Sequence, residues 1–183
     1  MPGRAGEPIE TARLLLRPMV AEDTHALLAI FADPLVMASF GVACFDDQQM
    51  AAWVQRNLDH QAQFGYGLFA VILKENGVLI GDCGLECLTV ADQVEVELGY
   101  DVRSDYWRQG LATEAAAAVR DYALHTLHLP RLISLIREGN DASRRVAEKI
   151  GMHLEATFAR QGRQYWRYAL SHDDVPTRAM LRL

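Results

Sequence analysis

The sequence predicts a single α/β domain built on one twisted, mixed sheet, largely antiparallel. Three observations predict it. The 183 residues are half hydrophobic and 23% charged, enough for one well-filled core without metals or disulfides. The hydrophobic period alternates between two and about 3.6, giving strand, two helices, three strands, helix, strand, helix and two strands in order. No repeat or linker divides that succession. The expected architecture is therefore a sheet of about six to seven strands flanked by about four helices over residues 9–183, with 1–8 as a flexible leader.

Ile9 to Arg17 carries Leu14-Leu15-Leu16 and reads as a strand that Pro18 ends. Ala26, Leu27, Ile30 and Phe31 share a helix face over 21–31, and Asp33-Pro34 is expected to stop that helix. A second helix runs from Asp46 to about Gln63, with Asp46-Asp47 suited to its positive end. Gly67 to Lys74 is a strand. Asn76-Gly77 is a hairpin signal, because both residues tolerate positive φ, and Val78 to about Leu88 is the return strand. Val94 to Val102 alternates cleanly, with Val96, Leu98 and Tyr100 on one face and Glu95, Glu97, Gly99 and Asp101 on the other. A long helix spans about Leu111 to Leu127. Its first residue follows Gly110, a poor cap, so something else must hold its start. Arg131 to Ile136 is a strand, Asp141 to Ile150 a helix closed by Gly151, and 153–160 and 163–171 are the last two strands.

Eighteen Lys and Arg against 24 Asp and Glu leave a net charge of −6. That balance disfavours nucleic acid, which needs a basic face, and suits cationic partners. Three cysteines, Cys44, Cys83 and Cys87, form no disulfide framework and point to a reducing compartment. The first residues show no apolar run behind a basic segment, and no stretch approaches the roughly 18 apolar residues of a membrane span. No membrane partner and a cytoplasmic location are expected.

The chemistry concentrates between Glu97 and Ala115, a strand, a polar loop and a helix start. Unpaired N–H groups at a helix N-terminus favour an anion, and Gly110 permits close approach of a phosphate. An ordinary strand-to-helix turn would show the same spacing. No Gly-Lys-Ser/Thr follows, which excludes a nucleotide P-loop. Gly65-Tyr66-Gly67 opens a strand instead of a helix, so it is no dinucleotide fingerprint.

Tyr106-Trp107-Arg108-Gln109-Gly110-Leu111-Ala112-Thr113-Glu114-Ala115 resembles the acetyl-CoA-binding motif of the GNAT acetyltransferase superfamily, and more narrowly its RimJ/RimL branch. Asn140-Asp141-Ala142-Ser143, running on to Lys149-Ile150-Gly151-Met152, resembles that branch's Asn-x-x-Ser helix. Thr11-Ala12-Arg13-Leu14-Leu15-Leu16-Arg17-Pro18 resembles its opening. One position departs from the wider superfamily: Trp107 stands where Arg or Gln begins the loop pattern, an exchange the RimJ/RimL branch often makes.

The resemblance implies the GNAT fold and an acetyl-CoA-dependent N-acetyltransferase, with acetyl-CoA as co-substrate and no metal. Backbone from Tyr100 to Val102 would hold the pantetheine arm. Arg108, Gln109, Gly110, Leu111, Ala112 and Thr113 would cradle the pyrophosphate, with Arg103 adding charge. Asn140 and Ser143 would flank the thioester. The acceptor would be a primary amine, on a protein N-terminus or a small molecule, and a homodimer is common in the family. Glu97 matches a base position, with Glu95 or water as substitutes. The superfamily's tyrosine acid is replaced by Ala147, which leaves Ser143 as the acid proposed in this branch, or as a helix-capping hydroxyl. A non-catalytic acyl-CoA-binding module and a transferase of longer acyl groups are the alternatives on the same fold. Glu95, Glu97 and Asp101 on one strand face would suit an ammonium acceptor. Tyr165-Trp166-Arg167-Tyr168 would line the acceptor groove. Cys83 and Cys87, His125 and His128, and His172-Asp173-Asp174 are read as structural or solvated positions.

Overall fold

Thr11 bends the first apolar stretch back on itself. Its N–H bonds Leu14 O at 2.9 Å, and its hydroxyl accepts from Leu14 N at 2.9 Å. One expected strand therefore becomes two, β1 (Ile9–Glu10) and β2 (Leu14–Pro18), paired antiparallel. This computed structural model describes residues 6–90, 92–160 and 162–172. Residues 1–5 of the expected leader and Asp173-Asp174 lie outside them. Gly6, within that leader, donates its N–H to the Tyr122 hydroxyl at 3.1 Å.

A second difference lies at Pro34. Proline has no N–H to lose at the first turn of a helix, so Asp33-Pro34 starts one there as well as closing the one before. Asp33 accepts from Leu35 N at 2.9 Å as the N-cap. After a 3₁₀ turn at Ala21–Asp23 come α1 (Thr24–Phe31), α2 (Pro34–Phe40) and α3 (Asp47–Phe64). The capping box between Asp46 and Gln49 sets the start of α3.

The sheet continues through β3 (Leu68–Leu73), β4 (Val78–Val90) and β5 (Gln93–Val102). Between β3 and β4 the loop is four residues long, closing Leu73 on Val78, and Asn76 keeps an ordinary φ while Gly77 alone is left-handed. Then follow α4 (Leu111–His125), β6 (Arg131–Arg137), α5 (Asp141–Lys149), β7 (His153–Arg160) and β8 (Arg163–Ser171). Gly151, at φ +90°, closes α5 by donating to Glu148 O while Met152 donates to Ala147 O, a left-handed termination that a side chain would strain. The eight strands lie in the order β1-β2-β3-β4-β5-β6-β8-β7, and the described helices number five, so the architecture is the expected one with an extra strand and an extra helix.

Two apolar layers fill the faces. On one, α4 and α5 bury Val119, Leu124, Ala147 and Ile150 against Leu85, Leu98, Leu132 and Leu170. On the other, α1 to α3 bury Leu27, Ile30, Met50 and Val54 against Leu68 and Met19, with Trp53 beside Phe31. β4 outruns β3, which would leave the Cys87 N–H without a strand partner. His60 of α3 accepts that hydrogen at 2.8 Å through Nε2 and sits 3.1 Å from Tyr66 O through Nδ1, which assigns the proton to Nδ1.

The arrangement that positions the site is the junction of β5 and β6. Among the described residues it is the one parallel pairing, and it is confined to Glu97 opposite Ile133. Beyond that pair toward Val102 the strands diverge, and backbone from Gly99 onward faces a gap instead of a neighbour.

Candidate active site

The gap opens into a groove of about 710 Å³ between the end of β5, the start of α4 and the start of α5. The first intrahelical bond of α4 runs from Glu114 N to Gly110 O at 3.0 Å. The N–H groups of Leu111, Ala112 and Thr113 therefore have no acceptor within the helix, and no side chain caps it. Gly110 at φ +77° and Arg108 at φ +63° curl the chain so that this end faces the groove. A left-handed arginine is costly unless its surroundings hold it.

What holds the loop is the N-terminal Thr-x-Arg. Arg13 donates through Nη1 to Gln109 O at 2.9 Å and through Nε to Glu114 at 2.7 Å. Its backbone N–H and the Thr11 hydroxyl also reach Glu114, at 2.8 and 2.6 Å. Burial would raise the Glu114 carboxyl, but those donors outweigh it and hold it below its ordinary value. The Thr11–Arg13 segment is thus the fastening of the loop that leads into α4.

The groove brings together Tyr100, Val102, Arg108, Gly110, Leu111, Ala112, Thr113, Asn140 and Ser143 from the sequence-derived set. Glu97, Arg103 and Gln109 stand outside its wall. The Arg103 guanidinium is engaged by Asp105 at 2.6 and 3.0 Å and lies over the Tyr106 ring, and the Gln109 carbonyl is taken by Arg13. Arg145 and Lys149 of α5 also line the groove, and the sequence reading missed them. Their spacing of one helical turn, on the face of Val146, was the available signal.

Across the groove Asn140 caps α5, its side chain accepting from Ser143 N at 3.2 Å. The N-cap of α5 is therefore the Asn140 side chain and not the Ser143 hydroxyl. The Tyr100 hydroxyl donates to Ser143 O at 2.7 Å, and burial pushes this phenol up, so it is a strut between β5 and α5. The Trp107 indole donates to Val102 O at 2.7 Å.

Glu97 sits where β5 and β6 part. Its Oε1 accepts from Leu135 N at 3.0 Å. Burial raises its carboxyl to about 7; the Leu135 bond opposes, Glu86 adds to the rise and Arg160 opposes. It is not the solvated strand carboxylate that simple alternation suggests. Glu95 is ion-paired with Arg131 at 3.2 Å, in a chain that runs on through Glu155 to Arg167. A second cavity of about 470 Å³ is walled by Leu135, Phe158, Arg160 and Arg167 among others. Of the expected aromatic segment, Arg167 reaches that wall. No described helix is long and apolar enough to cross a membrane.

The family model for the acetyltransferase (GNAT) domain matches residues 13–153. The chain belongs to the GNAT acetyltransferase family. This GNAT enzyme is 36% identical over 149 residues to the uncharacterized protein YkkB of Bacillus subtilis, covering 81% of this chain and 86% of that protein. A GNAT-family acetyltransferase from Bacillus anthracis superposes with a TM-score of 0.78 at 26% identity, covering 91% of this chain and 99% of its own. Mycobacterium smegmatis RimJ, solved with CoA-disulfide, shares the fold with a TM-score of 0.77 at 21% identity, over 97% and 93% of the two chains. The GNAT groove described above is the one formed by the matched segment.

Proposed function

We propose that this N-acetyltransferase moves an acetyl group from acetyl-CoA directly to a primary amine, on a protein N-terminus or a small molecule. The observation that carries the reading is the open start of α4 facing the gap between β5 and β6. The groove suits a CoA: three N–H groups and the helix dipole meet the pyrophosphate, and Arg108, Arg145 and Lys149 supply cations in a chain of net charge −6. The unpaired edge of β5 suits the amide-bearing pantetheine arm, which pairs like a strand.

Glu97 takes the proton of the attacking ammonium. A carboxyl poised near 7 is partly ionised at neutral pH and still basic enough to accept it. Backbone N–H groups at the parting of β5 stabilise the developing oxyanion. The C–N bond forms as the C–S bond breaks, and the Ser143 hydroxyl donates to the departing thiolate. Binding both reactants together supplies much of the rate, with no acetyl-enzyme.

Release of free CoA thiol across an amine panel tests the reaction. Production of thiol and acetylated amine in equal amounts is expected. Tight acetyl-CoA binding with no release in the presence of any amine would instead make this a sensor module.

A further inference from the structure

Glu97, Leu135, Arg167 and Ala156 project from one face of the sheet. Glu97 pairs with Ile133, Leu135 follows one strand period later, and Leu135, Arg167 and Ala156 are directly opposed across β6, β8 and β7. This face is turned away from α4 and α5, because Leu132 and Ile136 of β6 pack in the layer those helices cover. The cavity of about 470 Å³ is walled by Leu135, Arg167 and Ala156 together with Thr89, Phe158 and Arg160, among others. It has the volume of a site for a small molecule or a short stretch of peptide.

Two links tie this cavity to Glu97. Leu135, in its wall, donates the backbone N–H that Glu97 Oε1 accepts at 3.0 Å. Arg160, also in its wall, is the cation whose charge bears on the Glu97 carboxyl. The CoA groove begins further along β5, at Tyr100. Glu97 thus neighbours both.

The fold does not use up the positive charge in this wall. Arg131 lies against Glu95 and Glu155, and Arg167 brings its Nε to 2.8 Å from the same Glu155 oxygen. That nitrogen is buried, yet no hydrogen bond is directed from it. Among the described residues no carboxylate is ion-paired with Arg160. Its neighbour across the β7–β8 hairpin is Arg163, a like charge that turns to Phe40 O at 3.4 Å. Like charges opposed in this way are unfavourable, and an anion between strand and cavity would relieve them. A chain of net charge −6 therefore keeps a local surplus of guanidinium beside its candidate base. A guanidinium is the side chain best matched to a carboxylate, in plane and through two donors. A carboxyl base next to arginines is the complement of a molecule that carries an ammonium and a carboxylate together.

We propose that this cavity seats the acceptor, and that the acceptor is a primary amine bearing a carboxylate, held by Arg160 and Arg167 with its ammonium at Glu97. This rests on the acetyl-transfer reading above and narrows its acceptor. Glu97 takes a proton from the ammonium, and the neutral amine attacks the thioester carbon. The C–N bond forms, the C–S bond breaks, and CoA leaves as the thiol. The carboxylate stays ionised on its arginines throughout. The amide product has lost its positive end, so only the arginine contacts still hold it.

Acetyl-transfer assays on matched pairs test the proposal. Glycine, β-alanine and γ-aminobutyrate are each compared with their own amides, and a peptide beginning Ala-Glu with one beginning Ala-Gln. In at least one pair the acid is expected to exceed its neutral partner about tenfold or more in kcat/KM, chiefly through KM, with a preference that shrinks as salt rises. The pair that shows it tells a free amino acid from an acidic peptide N-terminus. Arg160→Gln and Arg167→Gln should each reduce the preference about tenfold. Arg160→Gln breaks no ion pair, so it remains informative if loss of the Glu155 contact unfolds Arg167→Gln. The acid-to-amide ratio isolates the contact, because any change at Glu97 falls on both substrates alike. Acetyl-CoA affinity and the unfolding transition report that each variant is folded. Transfer to the neutral amines with no preference for any acid overturns the acceptor assignment alone, as does a preference that survives in folded Arg160→Gln and Arg167→Gln. Thiol release with none of these amines, despite bound acetyl-CoA, overturns the transfer reading and the acceptor assignment with it.

Discussion

Glu97 illustrates how one carboxyl is tuned by its neighbours. Burial raises it and the Leu135 N–H restrains it, leaving it near 7. As pH falls through about 7 the carboxyl protonates and can no longer accept the amine's proton, so kcat/KM should fall with it. Glu97→Gln should lower kcat by about 10²–10⁴-fold and remove that limb of the pH–rate profile. Ser143→Ala should lower kcat by about 10²-fold if its hydroxyl is the acid, and an unchanged kcat would remove it from the mechanism. Both residues were named from motif position. What their side chains touch was not, because the Leu135 N–H reaches Glu97 only through the β5–β6 neighbourhood, which no local pattern specifies. Asp82 was illegible for the same reason. An aspartate inside a strand reads as a solvated position until register sets it opposite Asp101.

At the scale of elements, the loop before α4 depends on a segment far away in the chain. Removing the Arg13 side chain takes away its bonds to Gln109 O and Glu114 and frees the start of α4. Arg13→Ala should raise the KM for acetyl-CoA about tenfold, the worth of one charge-assisted hydrogen bond of about 1.5 kcal/mol, with a smaller effect on kcat. Spacing showed that α4 lacked a cap but not what replaced one. The strands offer a different test. A Cβ at Gly81 would lie 1.9 Å from Asp101 O, a backbone atom that cannot swing aside. Gly81→Ala should therefore destabilise the fold by about 1–3 kcal/mol, measured by denaturant unfolding, and disturb Asp101 with it. Helix boundaries were well predicted where periodicity was long, as in α3 and α4. They failed at Pro34, where one dipeptide both ends α1 and starts α2, and at Thr11, where a side-chain bond divides a strand.

For the whole molecule, the buried carboxyls set the response to pH. Asp82, Asp101 and Glu97 all have folded values raised above their ordinary ones, chiefly by burial. Between their ordinary values near 4 and their folded values, the native state binds more protons than the unfolded chain. Stability is then greatest at the acid end of that window and declines as pH rises through about 7. Glu114 and Glu155, held low by arginine neighbours, act oppositely and lose their contribution as pH falls below about 4.5. Thermal unfolding should accordingly show its highest Tm near pH 4.5–5, and Asp82→Asn should flatten the decline toward pH 8. The α/β fold was readable from the order of periods alone. The net charge of −6 gave only the sign of a partner and nothing of where the acid lies.

The lone bridge between Glu97 and Ile133 also divides the molecule in time. Strands β1 to β5 form a contiguous sheet from the first part of the chain, and β6, β8 and β7 form another from the last part, with α4 encoded between them. A ribosome therefore releases the first half-sheet and the helix that covers it before the second half exists. Native-state hydrogen exchange should resolve two cooperative blocks that meet along this seam, with β6 to β8 opening at lower cost. The cleft between β5 and β6 is also the line along which the protein is assembled.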